Sequence, residues 1–176
     1  MALVIPRMRI PVFVSCPSKL SPAQDKSAEI IQRLITKNKM EWRALGRSDY
    51  PGSLPLREVV RMIKHCSGGI VLGFEQYKFP PGGISQRGHK DENKIDTEFV
   101  APTSWNNLEA GILYARQLPM LIFKEKGITG GVFDVGASDI FIHTMPTDGM
   151  PDEALEDLDS VFQRWASEVR RHYYDS

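Results

Sequence analysis

The sequence predicts an α/β fold, a three-layer sandwich around a parallel five-stranded sheet. Three observations lead there. Short runs of β-branched and aromatic residues alternate along the chain with segments whose apolar residues recur at helical spacing. The strand-like runs are apolar at nearly every position, as strands covered on both faces must be. The 176 residues suit one domain with a sizeable core, and no repeat or boundary divides them, so residues 1–176 are read as a single domain.

IPVFVS (10–15) is the first strand. Ser21, Pro22 and Gln24 then give a helix start, with an N-cap, a proline at the first helical position and a capping-box partner. Ile30, Ile31, Leu34 and Ile35 supply that helix's apolar stripe. EWRALG (41–46) is a second strand, less apolar than the first. YPGSLP (50–55) is a turn, and Leu56, Val59, Val60 and Ile63 mark a second helix that the glycines of CSGG are expected to close. GIVLGF (69–74) is a third strand. Residues 78–101 are polar, contain glycine and proline and show no period, which reads as a functional loop or a disordered segment. A helix over 104–117 and the strand MLIFKE (120–125) follow. After the glycine-rich KGITGGVFDVGASD comes a short strand, IFIHTM (140–145). Leu158, Val161, Phe162, Trp165 and Val169 form the core stripe of a last helix. Strands and helices alternating in this way imply right-handed crossovers with helices on both faces. The expected strand order is flavodoxin-like, 2-1-3-4-5. Ligands of such sheets bind at the carboxyl ends of the strands near the switch point. The chemistry is therefore expected in the loops that begin near Ser15, Phe74 and Lys124.

Composition narrows the partners. Lys+Arg and Asp+Glu are each 22, so no overall field draws in nucleic acid or an acidic membrane, and neither is expected as a partner. No run approaches the roughly 18 apolar residues of a membrane helix, and MALVIPRMRIPVFV lacks a cleavage site, so a cytoplasmic protein is expected. Cys16 and Cys66 make neither a disulfide framework nor a zinc site and read as reduced, semi-buried thiols. His65, His89 and His143 show no metal-ligand spacing; no metal and no cofactor are implied. The oligomeric state is left open, and a homo-oligomer is compatible with the sequence.

The loop after the first strand, SCPSKLSP, has neither a dinucleotide fingerprint nor a phosphate-binding P-loop. Ser15, Cys16 and Ser18, with the helix amides near Ser21, either hold a phosphate or ribose hydroxyls or simply form a loop and a helix cap. Arg47, beside Tyr50, is a phosphate fork or a solvated surface charge. Glu75, directly after the third strand, receives ribose hydroxyls or faces solvent.

Glu109 is the strongest candidate. Acids favour the first turn of a helix because of its positive end. Yet the neighbours here are Leu108, Ala110, Gly111 and Ile112, which point a charge inward from the rim, and Gly111 is expected to let a backbone or ligand come close. A carboxylate buried there with no cation nearby in sequence has a perturbed pKa, a mark of functional sites.

The segment Glu109-Ala-Gly-Ile-Leu-Tyr-Ala-Arg-Gln-Leu-Pro119 resembles the E-x-G-x-x-x-A-x-x-x-P segment of nucleoside 2-deoxyribosyltransferases, whose glutamate attacks the anomeric carbon of the sugar. Ser104-Trp105-Asn106-Asn107-Leu108-Glu109 resembles the W-x-x-x-E segment of TIR domains that cleave NAD, and VFVSCPS is similar to their first strand and loop. Both groups share a flavodoxin-like core. The D-x-G-T that precedes the transferase glutamate is replaced here by PTSWNN, and Asn106 stands where TIR domains usually carry cysteine. These departures bear on the substrate more than on the glutamate. The resemblance covers about a third of the chain. PPGG (80–83) also resembles part of the cytokinin-type phosphoribohydrolase motif, but it continues ISQRG, without that motif's threonine and glutamate.

The resemblance implies cleavage or transfer at the N-glycosidic bond of a nucleoside, nucleotide or NAD, which would be the ligand. Glu109 would be the nucleophile or the stabiliser of an oxocarbenium-like sugar. Asn106 or Asn107 would orient hydroxyls or the base, and Trp105 would stack on the base or wall the pocket. Residues 78–101 and the ITGGVFD loop would be lids. The alternative is a non-catalytic nucleotide-sensing or assembly module on the same fold, with Glu109 binding a hydroxyl or capping a helix.

Overall fold

The computed structural model describes residues 9–46, 54–82 and 97–175. Five strands form a parallel sheet: β1 (Ile10–Ser15), β2 (Met40–Arg43), β3 (Gly69–Gly73), β6 (Met120–Lys124) and β7 (Ile142–Thr144). Their order is β2-β1-β3-β6-β7. Counted within this sheet alone, that is the flavodoxin-like order 2-1-3-4-5. Two further strands, β4 (Tyr77–Phe79) and β5 (Phe99–Ala101), pair antiparallel as a separate two-stranded ribbon. The ends of the polar 78–101 segment are therefore hydrogen-bonded strand rather than structureless loop. Its middle, including His89, lies outside the described residues, as do Arg47, Tyr50 and the start of the YPGSLP turn.

The alternation of side chains along the strands splits the core into two layers. Val12 and Val14 of β1, Ile70 and Leu72 of β3, and Leu121 and Phe123 of β6 face one side. They pack there on α1 (Pro22–Lys37) through Ile31 and Ile35, and on α4 (Asp152–Asp175) through Phe162, Trp165 and Val169. Phe13, Val71 and Ile122 face the other side. They meet Val59 and Ile63 of α2 (Pro55–Lys64) and Leu113 of α3 (Ser104–Ala115). Two helices on each face of a central sheet make the three-layer sandwich. Trp165 is core as expected, and its indole N–H donates to the Pro119 carbonyl at 3.0 Å.

Local signals act where the sequence places them, with one exception. The Ser21 side chain accepts from the Gln24 amide at 3.3 Å while Gln24 Oε1 accepts from the Ser21 amide at 3.0 Å, which completes the capping box of α1. The glycines of CSGG do not close α2, whose C-cap is His65. They are bare for close packing instead. A Cβ on Gly68 would lie 2.5 Å from Val169 Cγ2, and one on Gly69 2.6 Å from Leu113 Cδ1, so helices from both faces press against the start of β3. Cys66 is buried in the core and Cys16 is half-buried; neither forms a disulfide. Among the described residues, no helix is long and apolar enough to cross a membrane.

Candidate active site

β1 and β3 are neighbours whose chain connections leave in opposite directions, so their carboxyl ends flank the switch point of the sheet. A cleft of about 420 Å³ opens there. Cys16, Ser18 and Lys19 from the loop after β1 form one wall, and Gln76 from the loop after β3 contributes from the other strand end. The start of α3 supplies Thr103, Trp105, Asn106 and Glu109.

Glu109 is the buried acid of this cleft, with 8% of its surface exposed. α3 begins at Ser104 and has no acidic residue in its first turn, so the carboxylate, one turn further in, is not a helix-start acid. Burial raises its pKa from 4.5 to about 7, and a hydrogen bond from Ser15 opposes part of that rise. Ser15 itself is fully buried at the end of β1, underneath the cleft rather than on its wall. No protein neighbour comes within 4 Å of a Cβ placed on Gly111, so no backbone packs closely against it.

Asn106 is 1% exposed and ties the strand ends together. Its Nδ2 donates to Ser15 Oγ at 2.8 Å and to the Leu72 carbonyl at 3.2 Å, while its Oδ1 accepts from the Thr103 hydroxyl at 3.0 Å. It is thus a bracket between β1, β3 and α3 rather than a side chain free to meet a base. Asn107 faces away from the cleft. Its Oδ1 accepts from the Val132 amide at 2.9 Å, pinning the short 3₁₀ turn Gly131–Phe133 against α3. Gly131 has φ +61°, and a Cβ there would collide with Asn107 Oδ1, so the position needs glycine. Ile128 and Phe133 are fully buried and Lys124 Nζ donates to the Phe133 carbonyl at 2.8 Å, so the ITGGVFD segment is anchored in the core near both ends while Thr129, Gly130 and Gly131 stay exposed.

Glu75 is not among the residues that line the cleft. The chain turns after β3 so that Gln76 lines the cleft, while the Glu75 backbone enters a separate network. There the Glu125 carboxylate accepts from the Glu75 amide at 2.6 Å and from Gln24 Nε2 at 3.0 Å, and Gln24 Nε2 also donates to the Glu75 carbonyl at 3.0 Å. The capping-box glutamine therefore also fastens the loops after β3 and β6. Of the sequence-derived candidates, Cys16, Ser18, Trp105, Asn106 and Glu109 meet at the cleft, with Ser15 beneath it. Lys19, Gln76 and Thr103 are polar lining residues that sequence reasoning missed. Lys19 could have been read from its place beside Ser18 in the loop after β1; Gln76 and Thr103 carried no signal. Trp105 stands at the mouth, 41% exposed.

A larger groove of about 820 Å³ runs along α1 and the start of α4. Two of the four acids lining it are held, Asp159 by Lys37 at 2.8 Å and Asp148 by Lys26 at 2.7 Å. Among the described residues, no three His, Cys, Asp or Glu side chains gather as a metal ion would require.

No protein-family model matches the chain, and no curated protein is significantly similar to it. The class of the protein is thus defined by its architecture: an α/β, flavodoxin-like sandwich with a buried carboxylate in a cleft at the switch point of its sheet.

Proposed function

We propose that this protein cleaves or transfers at the N-glycosidic bond of a nucleoside, nucleotide or NAD, with Glu109 as nucleophile or oxocarbenium stabiliser. One observation carries the reading: a carboxylate that is 8% exposed opens into a cleft where flavodoxin-like sheets bind ligands. The resemblance of residues 104–119 to deoxyribosyltransferase and TIR segments supports the same chemistry. Holding an anion in this setting costs about 3 kcal/mol, the free-energy equivalent of a pKa raised from 4.5 to about 7. A sugar cation forming beside the carboxylate relieves that cost, so the interaction is stronger in the transition state than before it. Trp105 at the mouth offers a face for the base. Lys19 on the wall offers a cation for an anionic part of the substrate.

The alternative, a nucleotide-sensing module, draws on the same raised pKa. A carboxyl that is half protonated near pH 7 can donate a hydrogen bond to a ligand without reacting with it. Incubation with NAD, nucleosides and nucleoside 5′-monophosphates, reading free base by chromatography, separates the two. The enzyme releases base, and its kcat/KM rises with pH and levels off above about 7 as Glu109 ionises. Saturable binding with no base released at pH 8 from any of these compounds would establish the sensor.

A further inference from the structure

α3 differs from the other long helices in what it shows to solvent. α1 turns Asp25, Lys26, Glu29, Arg33 and Lys37 outward, and α4 is as densely charged. Among the 12 residues of α3 the only charged one is Glu109, and it is buried. The outer side of α3 is apolar instead. Trp105, Leu108, Ile112 and Ala115 recur at intervals of three, four and three residues, the spacing of a helix–helix seam. Trp105 and Leu108 are 41% and 43% exposed, Ala115 is exposed and Ile112 is half-buried. A helix that is apolar on two sides is one covered on two sides, and the core takes only the inner one, through Ala110 and Leu113. α2, which packs beside α3 on the same face of the sheet, adds Leu54 and Leu56 at its start, both exposed. Pro55 between them lines the same cleft as Trp105, so the two helix starts border one mouth.

We infer that this α2–α3 face pairs with a second copy of the chain about a two-fold axis, α3 against α3. Three observations choose a second copy over a different partner. The stripe bears no charge, so it meets its own image with no like charges opposed, while a foreign partner would find no charge there to be selected by. Gly111 lies in the middle of α3 beside the stripe, where glycine weakens a helix relative to alanine, and no described residue of its own chain comes within 4 Å of a Cβ there. Two copies of α3 crossing at this point fill the open space from both sides, because the axis repeats every contact. The size also fits. α3 has 12 residues and is about 18 Å long, and with the adjoining face of α2 the patch is about 20 Å wide. That footprint is near the lower limit for a specific dimer, which makes the pairing reversible at micromolar concentration instead of permanent. Arg57 and Arg116 flank it in sequence and are exposed, as rim residues are. The pairing is independent of the chemistry proposed for Glu109. Since Trp105 belongs to both the stripe and the cleft, a copy seated here borders the cleft mouth.

Sedimentation equilibrium of the whole chain, from low to high micromolar concentration, tests the pairing. Wild type is expected to pass from the 19.9 kDa chain at the dilute end to twice that mass at the concentrated end. Leu108→Arg, at an exposed position outside the cleft lining, is expected to keep the wild-type circular dichroism and to raise the dimer dissociation constant about a hundredfold, because the axis buries the new charge twice. Gly111→Leu is the second variant. It favours the helix and fits the open space of a single protomer, so the protomer folds, yet it blocks the close crossing and is expected to weaken the dimer about tenfold or more. Should Leu108→Arg fail to fold, Gly111→Leu carries the test alone. A protein that stays at 19.9 kDa at every concentration overturns the pairing and leaves the stripe to another occupant. Dimers that survive the substitutions in folded protein place the interface elsewhere and overturn it as well. Growth beyond the dimer contradicts it too, since a two-fold contact closes on itself. Base release plays no part in the readout, so this outcome is separate from that of the glycosidic chemistry.

Discussion

Glu109→Gln is expected to reduce base release at least a thousandfold and, at pH 8, to make the protein more stable than wild type. The first effect follows from removing the one carboxylate that lines the cleft among the described residues and can face a developing sugar cation; losses of this order accompany removal of a single preorganised electrostatic partner. The second follows from linkage. The pKa of Glu109 is raised by folding, from 4.5 to about 7, so between these values the native state keeps a proton that the unfolded chain has lost. Wild-type stability therefore falls as pH rises through this window, by about 3 kcal/mol in total, and is unaffected by this group below it. Glutamine carries no charge to desolvate. For a chain of this length the variant should melt roughly 5 to 10 °C higher at pH 8, and the gain should vanish below pH 4.5. Calorimetry at the two pH values, beside turnover, checks both halves. Near-normal turnover would remove Glu109 from catalysis, and a variant less stable at pH 8 would make it a structural residue.

Asn106→Ala is expected to cost about 2 to 4 kcal/mol of stability at every pH, measured by urea unfolding. The substitution takes its donor from the buried Ser15 Oγ, leaves the Leu72 carbonyl to the Phe74 amide at 3.1 Å, and opens a polar void where the amide lay; an unsatisfied buried group costs about 1 to 3 kcal/mol. It also removes the bracket between β1, β3 and α3, so the cleft should lose its shape along with its stability. Asn107→Ala differs in kind. It frees an exposed contact to Val132 and leaves the cleft wall intact. A loss below about 0.5 kcal/mol for Asn106→Ala would mean that the strand ends hold together without it.

The two substitutions mark the limits of what the sequence made legible. The sheet and its order were readable because β1, β3 and β6 are apolar on both faces and separated by helices with strong stripes and, in α1, a full capping box. The β4–β5 ribbon was not, because YKF and FVA are too short to show a period and lie at the ends of a polar stretch. Glu109 stood out because a charge flanked by apolar residues breaks the helical pattern. Its support did not. Ser15 and Asn106 are 91 positions apart, and nothing local to either announces the bond between them. Asn106 and Asn107 look equivalent in sequence, yet one helical step of about 100° sends the first into the sheet and the second to the Gly131 turn. The choice between Glu75 and Gln76 depended in the same way on a turn of backbone that the residues themselves do not specify.

The central claim is that Glu109 is aimed at a glycosidic carbon. A crystal structure with a non-cleavable NAD or nucleotide analogue tests it most directly. The account predicts the base against Trp105 and the anomeric carbon within roughly 3 to 3.5 Å of a Glu109 carboxylate oxygen, a near-attack distance. A ligand seated away from this cleft, or one bound in it with Glu109 turned toward the protein and the sugar out of reach, would contradict it.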